Sequence, residues 1–256
     1  MTLDQKILWT RISLILFGLG MWEGFCVCGI IDPYFFGQPT SICQDLWSMI
    51  IDGSIFFHTW ITLFEAMAGF FLGAVFGCVA ALILGMSPFW AKVLDPLIMV
   101  VYGIPRIALA PLFILWFGLG LASKIVFAFT LVFFLVFFNT FAGLKNMNQG
   151  MINTIRVMGA GRRQIMHKVI LPGISPWVMA GLKSGMGMSL LGALVGEYIG
   201  GNAGLGWMIN SAAGLFETNR VFSAIFALAL LVMATNAVFN KIERRVLKWR
   251  PENINL

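Results

Sequence analysis

The run WITLFEAMAGFFLGAVFGCVAALIL, residues 60–84, contains a single charged side chain, Glu65. An apolar stretch of about twenty residues is long enough to cross the hydrocarbon core of a bilayer as one helix. Small residues recur at every fourth position of this run and just beyond its end: Gly69, Gly73, Gly77, Ala81 and Gly85. Such a stripe lets two helix backbones approach closely in lipid. The run therefore predicts a membrane helix that is buried inside a helical bundle.

The composition of the whole chain supports this interpretation. Of its 256 residues, 59% are hydrophobic and only 11% are charged, whereas a soluble domain is about one quarter charged. We therefore predict an all-α integral membrane protein, with residues 1–256 forming one transmembrane domain. Six apolar runs are long enough to span a bilayer: residues 9–29, 60–84, 96–117, 125–144, 176–199 and 221–239. The first run lacks a small-x-small cleavage site after it, so we expect a retained helix rather than a signal peptide.

The distribution of basic residues predicts the orientation. Six crossings place both termini on one side, and retained Lys and Arg mark the cytoplasmic side of a membrane protein. With cytoplasmic termini, thirteen of the seventeen basic residues fall in cytoplasmic segments: Lys6, Arg11, Lys92, Lys145, Arg156, Arg162, Arg163, Lys168, Lys241, Arg244, Arg245, Lys248 and Arg250. Lys124 and Arg220 then fall in outer segments. The net charge of +6 follows from this bias and does not indicate a nucleic-acid partner.

The first outer segment, residues 40–53, has a pattern of its own. Ser41 and Gln44 have the spacing of a capping box, and Gly53 is a helix stop signal. Apolar residues recur every four positions between them: Ile42, Leu46 and Ile50. We predict a short amphipathic helix that lies on the outer surface and covers the ends of the spans. On the same side, Glu23 is expected to be hydrated at the interface.

The longest polar stretch, residues 145–175, is basic and falls on the cytoplasmic side. We predict a helix over residues 153–168 that exposes Arg156, Arg162 and Arg163, followed by a break at Leu171-Pro172. Composition alone leaves two interpretations open. The segment is either a solvated connector beside lipid headgroups or an element that binds a partner.

The spacing within this loop resembles the EAA loop of binding-protein-dependent ABC importer permeases. Gly159 takes the position of the motif glycine, Val169 that of its isoleucine, and Leu171-Pro172 closes the motif. The EAA triplet itself is replaced by Asn153-Thr154-Ile155. Two further stretches are similar to the nitrate/sulfonate/taurine branch of that family: IPRIALAP at 104–111 with LWFGLG at 115–120, and GEYIG at 196–200 with GLG at 204–206.

The resemblance implies a type I ABC importer permease bundle in a bacterial inner membrane. It implies a homodimer that works with two ATP-binding cassette ATPases and a periplasmic or lipid-anchored binding protein. The loop would dock on the ATPase through Asn153, Thr154, Ile155, Arg156, Gly159, Ala160, Arg162, Arg163, Leu171 and Pro172. The chain has no GxxxxGK[ST] motif, so we expect no enzymatic activity and no cofactor in this chain, with ATP and Mg on the partner ATPase.

Charges inside the predicted spans are candidates for a substrate pathway, because an ionisable residue at that depth is costly. Arg106 lies between Pro105 and Pro111 near the middle of the third span. We predict that Arg106, Glu65 and Glu197 line the pathway and that Arg106 favours an anion; a structural ion pair for Arg106 is the alternative.

The substrate class that the resemblance implies is a small organic or inorganic anion of the sulfonate, taurine, nitrate or aromatic acid type. A thiamine-precursor-like or other non-anionic nutrient remains an alternative. An ion-coupled secondary transporter is a third, although it would have broken helices in both halves. His58 and His167 are each isolated in the sequence, so no metal site is predicted.

Overall fold

The computed structural model describes residues 3–248, and over that range it contains helices and turns but no strand. In chain order the helices are α1 Leu3–Val27, α2 Pro33–Phe36, α3 Pro39–Ile51, α4 Ser54–Gly85, α5 Pro88–Gly103, α6 Ala110–Phe117, α7 Leu121–Lys145, α8 Gln149–Val157, α9 Arg162–Ile165, α10 Leu171–Gly200, α11 Leu205–Gly214 and α12 Thr218–Val246. A 3-10 turn, Arg106–Leu109, lies between α5 and α6, and a π turn, Met166–Ile170, joins α9 to α10. Arg250, one of the predicted cytoplasmic cations, lies outside the described residues.

Five stretches of helix in this range are long and apolar enough to cross a membrane, and a bent pair adds a sixth. The bent pair is Pro96–Gly103 with Arg106–Phe117, and its two parts meet at 74°. Pro105 causes this break, because proline donates no backbone hydrogen bond and its ring disfavours helical geometry in the residue before it. The prediction of six spans, one of them interrupted by proline, is confirmed.

Helix α7 is the centre of the bundle, with α4 and α10 packed closely against it. A β-carbon added at Gly73 of α4 would lie 2.6 Å from Cβ of Val132, and one added at Gly192 of α10 would lie 2.8 Å from Cα of Ala128. These distances are shorter than carbon atoms tolerate, so the glycines are what allow the contact. Val132 and Val136 of α7 are fully buried between the two neighbours. The predicted small-residue stripe thus faces α7.

The helix predicted for the outer surface is α3, and it begins earlier than the capping-box spacing predicts. Its N-cap is Gln38 and Pro39 occupies its first turn, so Ser41 already lies inside the helix and its proposed capping role is wrong. The cap comes from α1 instead. Glu23 accepts hydrogen bonds from the Thr40 backbone N–H at 3.1 Å and from the Gln38 amide at 2.6 Å. Glu23 is therefore a capping residue, and because its side chain is not buried, its hydration at the interface stays a prediction.

The predicted outer cover is nevertheless present. Ile42 and Met49 of α3 are buried against the bundle, and Asp45 forms an ion pair with Arg220 of α12 at 3.2 Å. The turn into α4 uses Gly53 at φ +78°, which confirms the stop signal. Hydrogen bonds from Ser54 hold the pKa of the Asp52 carboxyl below its usual range.

Two glycines of α10 allow a matched test of the close packing of α10 against α7. Gly192→Ala should destabilise the protein by about 1–3 kcal/mol, because the added methyl group meets the α7 backbone. Gly187→Ala makes the same chemical change on the same helix, where an added β-carbon meets nothing within 4 Å. It should be neutral or slightly stabilising, since alanine is the better helix former. Thermal unfolding of the two purified variants measures the difference; equal midpoints would contradict the proposed close contact.

Candidate functional site

The segment predicted to face the cytoplasm begins with a well-defined helix, α8. The Asn148 side chain caps its first turn by accepting from the backbone N–H groups of Gly150 and Met151. At its other end the Gly159 N–H donates to the Arg156 carbonyl at 3.0 Å and the Ala160 N–H donates to the Ile155 carbonyl at 3.2 Å. This pair of bonds is a Schellman motif, which requires a left-handed residue, and Gly159 has φ +89°. The motif glycine therefore ends α8.

This ending corrects the helix predicted over residues 153–168. The chain turns at Gly159–Gly161 and starts again as α9, with the Gly161 N–H donating to Gln164 Oε1 at 3.0 Å. The break predicted at Leu171-Pro172 is also wrong. Both residues begin α10, where a proline in the first turn costs no hydrogen bond, and the π turn connects α9 to α10 without a gap.

Helix α8 contacts the bundle on one side and protrudes on the other. Ile152 is buried with Ile165 and Val169, and Ile155 and Ala160 pack against that cluster. The tip of the helix, by contrast, is apolar and open. Val157 is 90% exposed and Met158 is 79% exposed, which is unusual for two adjacent apolar side chains in solvent-facing protein. The tip therefore has the character of a surface that another protein covers.

The other predicted coupling residues are distributed over α8, α9 and the start of α10. Arg156, Arg162 and Arg163 are exposed. Asn153 Oδ1 accepts a long hydrogen bond of 3.5 Å from Arg156, and the Thr154 hydroxyl donates to the Gly150 carbonyl at 2.9 Å. The residues that replace the acidic triplet thus support α8 internally. Leu171 and Pro172 lie further away, at the start of α10.

Arg106 occupies the break between α5 and α6. Its guanidinium stacks on the rings of Tyr102 and Phe134, with distances of 4.7 and 4.4 Å to the ring centroids. It donates one hydrogen bond, to the Tyr102 carbonyl at 3.2 Å. The structure records no ion pair of Arg106 with any carboxylate whose side chain it describes. The geometry thus holds the cation by two aromatic faces and a carbonyl.

Glu65 and Glu197 lie elsewhere, inside the packed bundle. Both are completely buried, and Lys124 of α7 is only 2% exposed. Lys124 Nζ lies 3.1 Å from Glu65 Oε1. Lys124 thus lies in the first turn of α7 and packs inside the bundle. The two glutamates are enclosed in this conformation, and their place along a substrate pathway stays a prediction. Groups with no exposed surface contact their neighbours rather than a passing solute.

Glu197 is the centre of a hydrogen-bond network that the sequence does not reveal. It accepts from the Thr62 hydroxyl at 2.7 Å and from the Gly206 backbone N–H at 2.7 Å. Thr62 in turn accepts from the Leu205 N–H at 2.9 Å. The network ties the start of α11 to α4 and α10. A glycine at 206 lets the backbone come this close, because an added β-carbon would lie 3.0 Å from Glu197.

These features define a multi-pass helical membrane permease. The chain belongs to the family of binding-protein-dependent transport system inner membrane components, whose family model matches residues 73–248. It is 32% identical to a putative aliphatic sulfonates transport permease protein of Bacillus subtilis, over 91% of this chain and 84% of that protein. It is 29% identical to a riboflavin transport system permease protein of Chloroflexus aurantiacus, over 96% and 92% of the two chains.

The fold is similar to that of a solved ABC importer. A structure of the MetNI methionine ABC transporter in an inward-facing conformation matches with a TM-score of 0.66 at 20% identity, covering 74% of this chain and 94% of that one. The resemblance read from the loop and spans is thereby confirmed as a family relationship, and the type I importer bundle is confirmed as the fold. The chain is a transport subunit.

Gly159 and Gly161, in the turn that follows α8, provide a test of the Schellman motif that ends this helix. Gly159→Ser places a β-carbon on a left-handed residue, which costs about 1–2 kcal/mol. We expect faster backbone hydrogen exchange in the last turn of α8. Gly161→Ser is the control: it has φ −72° and open space around it, and serine is a favoured N-cap. If both variants exchanged at the same rate as the parent, Gly159 would not be needed for the helix end.

Proposed function

We propose that this chain is the permease subunit of an ATP-driven importer for a small organic or inorganic anion. It acts as a homodimer in a bacterial inner membrane with both termini cytoplasmic. Two ATPase subunits hold ATP and Mg, and a periplasmic or lipid-anchored binding protein delivers the substrate. The observation that carries the substrate class is the Arg106 guanidinium, a cation at membrane depth for which no described carboxylate is a partner.

The cost of placing Arg106 in the membrane, compared with the gain from its aromatic contacts, supports a role for its charge in binding a ligand. An arginine at the centre of a membrane helix costs about 2.5–3.5 kcal/mol on insertion scales. Stacking on an aromatic ring returns about 0.5–2 kcal/mol for each contact, and Arg106 has two such contacts. The rings stabilise the guanidinium without neutralising it. A positive site therefore remains at a helix break, where non-helical backbone is tolerated only beside protein or a water-filled cavity.

The names of relatives in the family include both an anionic and a non-anionic substrate. The Bacillus subtilis relative carries the name of a transporter for aliphatic sulfonates, which are anions. The Chloroflexus aurantiacus relative is named for riboflavin, so a non-anionic nutrient is the second candidate. An ion-coupled secondary transporter is disfavoured because the chain belongs to a family of binding-protein-dependent systems.

The coupling role rests on the tip of α8. An apolar pair with almost its whole surface open, Val157 and Met158, matches the hydrophobic anchor that dominates many protein interfaces. The same segment carries three exposed cations: Arg156, Arg162 and Arg163. We assign this surface to the ATPase subunit, whose closure would push on α8.

The anion assignment predicts that Arg106→Gln lowers substrate uptake. Loss of a charge-assisted hydrogen bond of about 1.5–3 kcal/mol corresponds to about a ten- to a hundredfold reduction. The measurement is uptake of labelled taurine, an alkanesulfonate or nitrate into vesicles that contain the complete transporter. Arg106→Lys keeps the positive charge and should retain more uptake than Arg106→Gln.

Assembly is the control for this experiment, since a misfolded permease also fails to transport. The Arg106→Gln complex should co-purify with its ATPase in parental amounts. Undiminished anion uptake by an intact Arg106→Gln complex would refute the pathway role. Uptake of a neutral vitamin in place of the anions would favour the second candidate.

The coupling assignment predicts that Met158→Asp releases the ATPase. A carboxylate at the centre of an apolar interface loses the hydrophobic contact and must be desolvated, so co-purification of the ATPase should fall at least about tenfold. Met158→Leu is the matched control, because it keeps an apolar side chain of similar volume. Retention of the ATPase by the Met158→Asp variant would show that the interface lies elsewhere.

A further inference from the structure

The buried cluster of Glu65, Lys124 and Glu197 has an imbalance of charge. It contains two carboxyl groups and one ammonium group, all with no more than 2% of their surface exposed. If each were ionised, the cluster would hold one uncompensated negative charge inside the bundle. A buried unpaired charge is strongly unfavourable. Something in the cluster must therefore supply one more positive charge.

Among the side chains that the structure describes beside the cluster, none supplies that charge. His58, on α4 beside the cluster, accepts a hydrogen bond at Nδ1 from the Gly204 backbone N–H at 3.0 Å. A nitrogen that accepts a hydrogen bond carries no proton, so the imidazole is neutral. The other groups that face the carboxyls are uncharged: the Thr62 hydroxyl from α4 and the Gly206 backbone N–H from α11. Lys124 is the cation that α7 contributes.

The hydrogen bonds show which carboxyl is ionised. Both oxygens of Glu197 accept hydrogen bonds, Oε1 from Thr62 and Oε2 from Gly206. The Thr62 hydroxyl accepts from the Leu205 N–H. It has two acceptors within reach, the His58 carbonyl at 3.2 Å and Glu197 Oε1 at 2.7 Å, and we assign its proton to the shorter contact. A carboxyl group that accepts at both oxygens fits the carboxylate form. We therefore assign the negative charge of the cluster to Glu197.

Glu65 has the complementary pattern. Its Oε1 accepts from Lys124 Nζ at 3.1 Å, but its Oε2 is buried with no hydrogen-bond partner. Shared contacts make Glu65 and Glu197 neighbours: Thr62, one turn before Glu65 on α4, bonds Glu197, and Lys124, which bonds Glu65, lies against Gly196. Two carboxylates in that arrangement would present acceptor to acceptor. A proton on Glu65 Oε2 converts the contact into an O–H donor facing an acceptor.

We infer that Glu65 and Glu197 form a binding site for one proton, which Glu65 carries at Oε2 and donates towards Glu197. The cluster is then electrically neutral, with one ammonium, one carboxylate and one carboxylic acid. Its three side chains come from α4, α7 and α10, and its bond to Gly206 fixes α11. The proton completes the junction at the outer end of the bundle. This inference concerns charge balance and does not depend on the transported substrate.

Two isosteric substitutions distinguish the carboxyls. Glutamine has the shape and the donor of a neutral glutamic acid, so Glu65→Gln should keep the parental unfolding midpoint in detergent. Glu197→Gln makes the same change where both oxygens accept, so its amide donor would face another N–H or O–H. Its midpoint should fall by several degrees. The assignment of the proton to Glu65 would be overturned if the unfolding midpoint fell for Glu65→Gln but not for Glu197→Gln. Equal midpoints for the two variants would overturn it as well.

Infrared spectroscopy gives a second and direct measurement. At neutral pH the purified parent should show the carbonyl stretch of a buried, protonated carboxyl group. Glu65→Gln should remove this band, whereas the band should persist in Glu197→Gln and in Glu23→Gln, which alters a carboxylate outside the cluster. Absence of the band in the parent, or its loss with Glu197→Gln alone, would overturn the inference even if one variant folded poorly.

Discussion

The approach of α4 and α10 to α7 is the contact on which the rest of the structure depends. Lipid surrounds the bundle and provides no hydrophobic force to press helices together, so association depends on close packing and on polar contacts between helices. The glycines that face α7 supply the first of these. The same three helices supply Glu65, Lys124 and Glu197, so the polar cluster forms where the backbones are already close.

Two kinds of intramembrane charge follow from this packing. Lys124 lies inside the three-helix contact, is only 2% exposed and belongs to a cluster with two carboxyl groups, of which Glu65 lies 3.1 Å away. Arg106 lies at the proline break outside that contact, where α5 and α6 pack less tightly, and aromatic rings hold it instead. Enclosure requires neutralisation, because a buried charge without a partner is costly. A partly open charge can remain unneutralised, which is what an ion-binding position requires.

Sequence patterns that depend on one helix were predictable, and patterns that depend on contacts between distant segments were not. Hydropathy and four-residue spacing gave the six spans and the buried stripe of α4, because both are properties of a single stretch. The cap that Glu23 provides for α3 and the bond between Glu197 and Gly206 join residues whose proximity only the fold creates. The helix end at Gly159 was ambiguous for another reason: a glycine also occurs in flexible loops, and only its φ of +89° identifies the Schellman turn.

The connections of α8 explain how a push at its tip could reach Arg106. Helix α8 follows α7 after a short turn, and α9 with the π turn links it to α10, so both of its ends lead into the close-packed helices. Such helices move together as a rigid body. Phe134 belongs to α7 and forms one face of the Arg106 stack, whereas Tyr102 belongs to α5. A shift of α7 relative to α5 would therefore separate the two rings and uncover the guanidinium, which would link the state of the ATPase to the exposure of the proposed anion site.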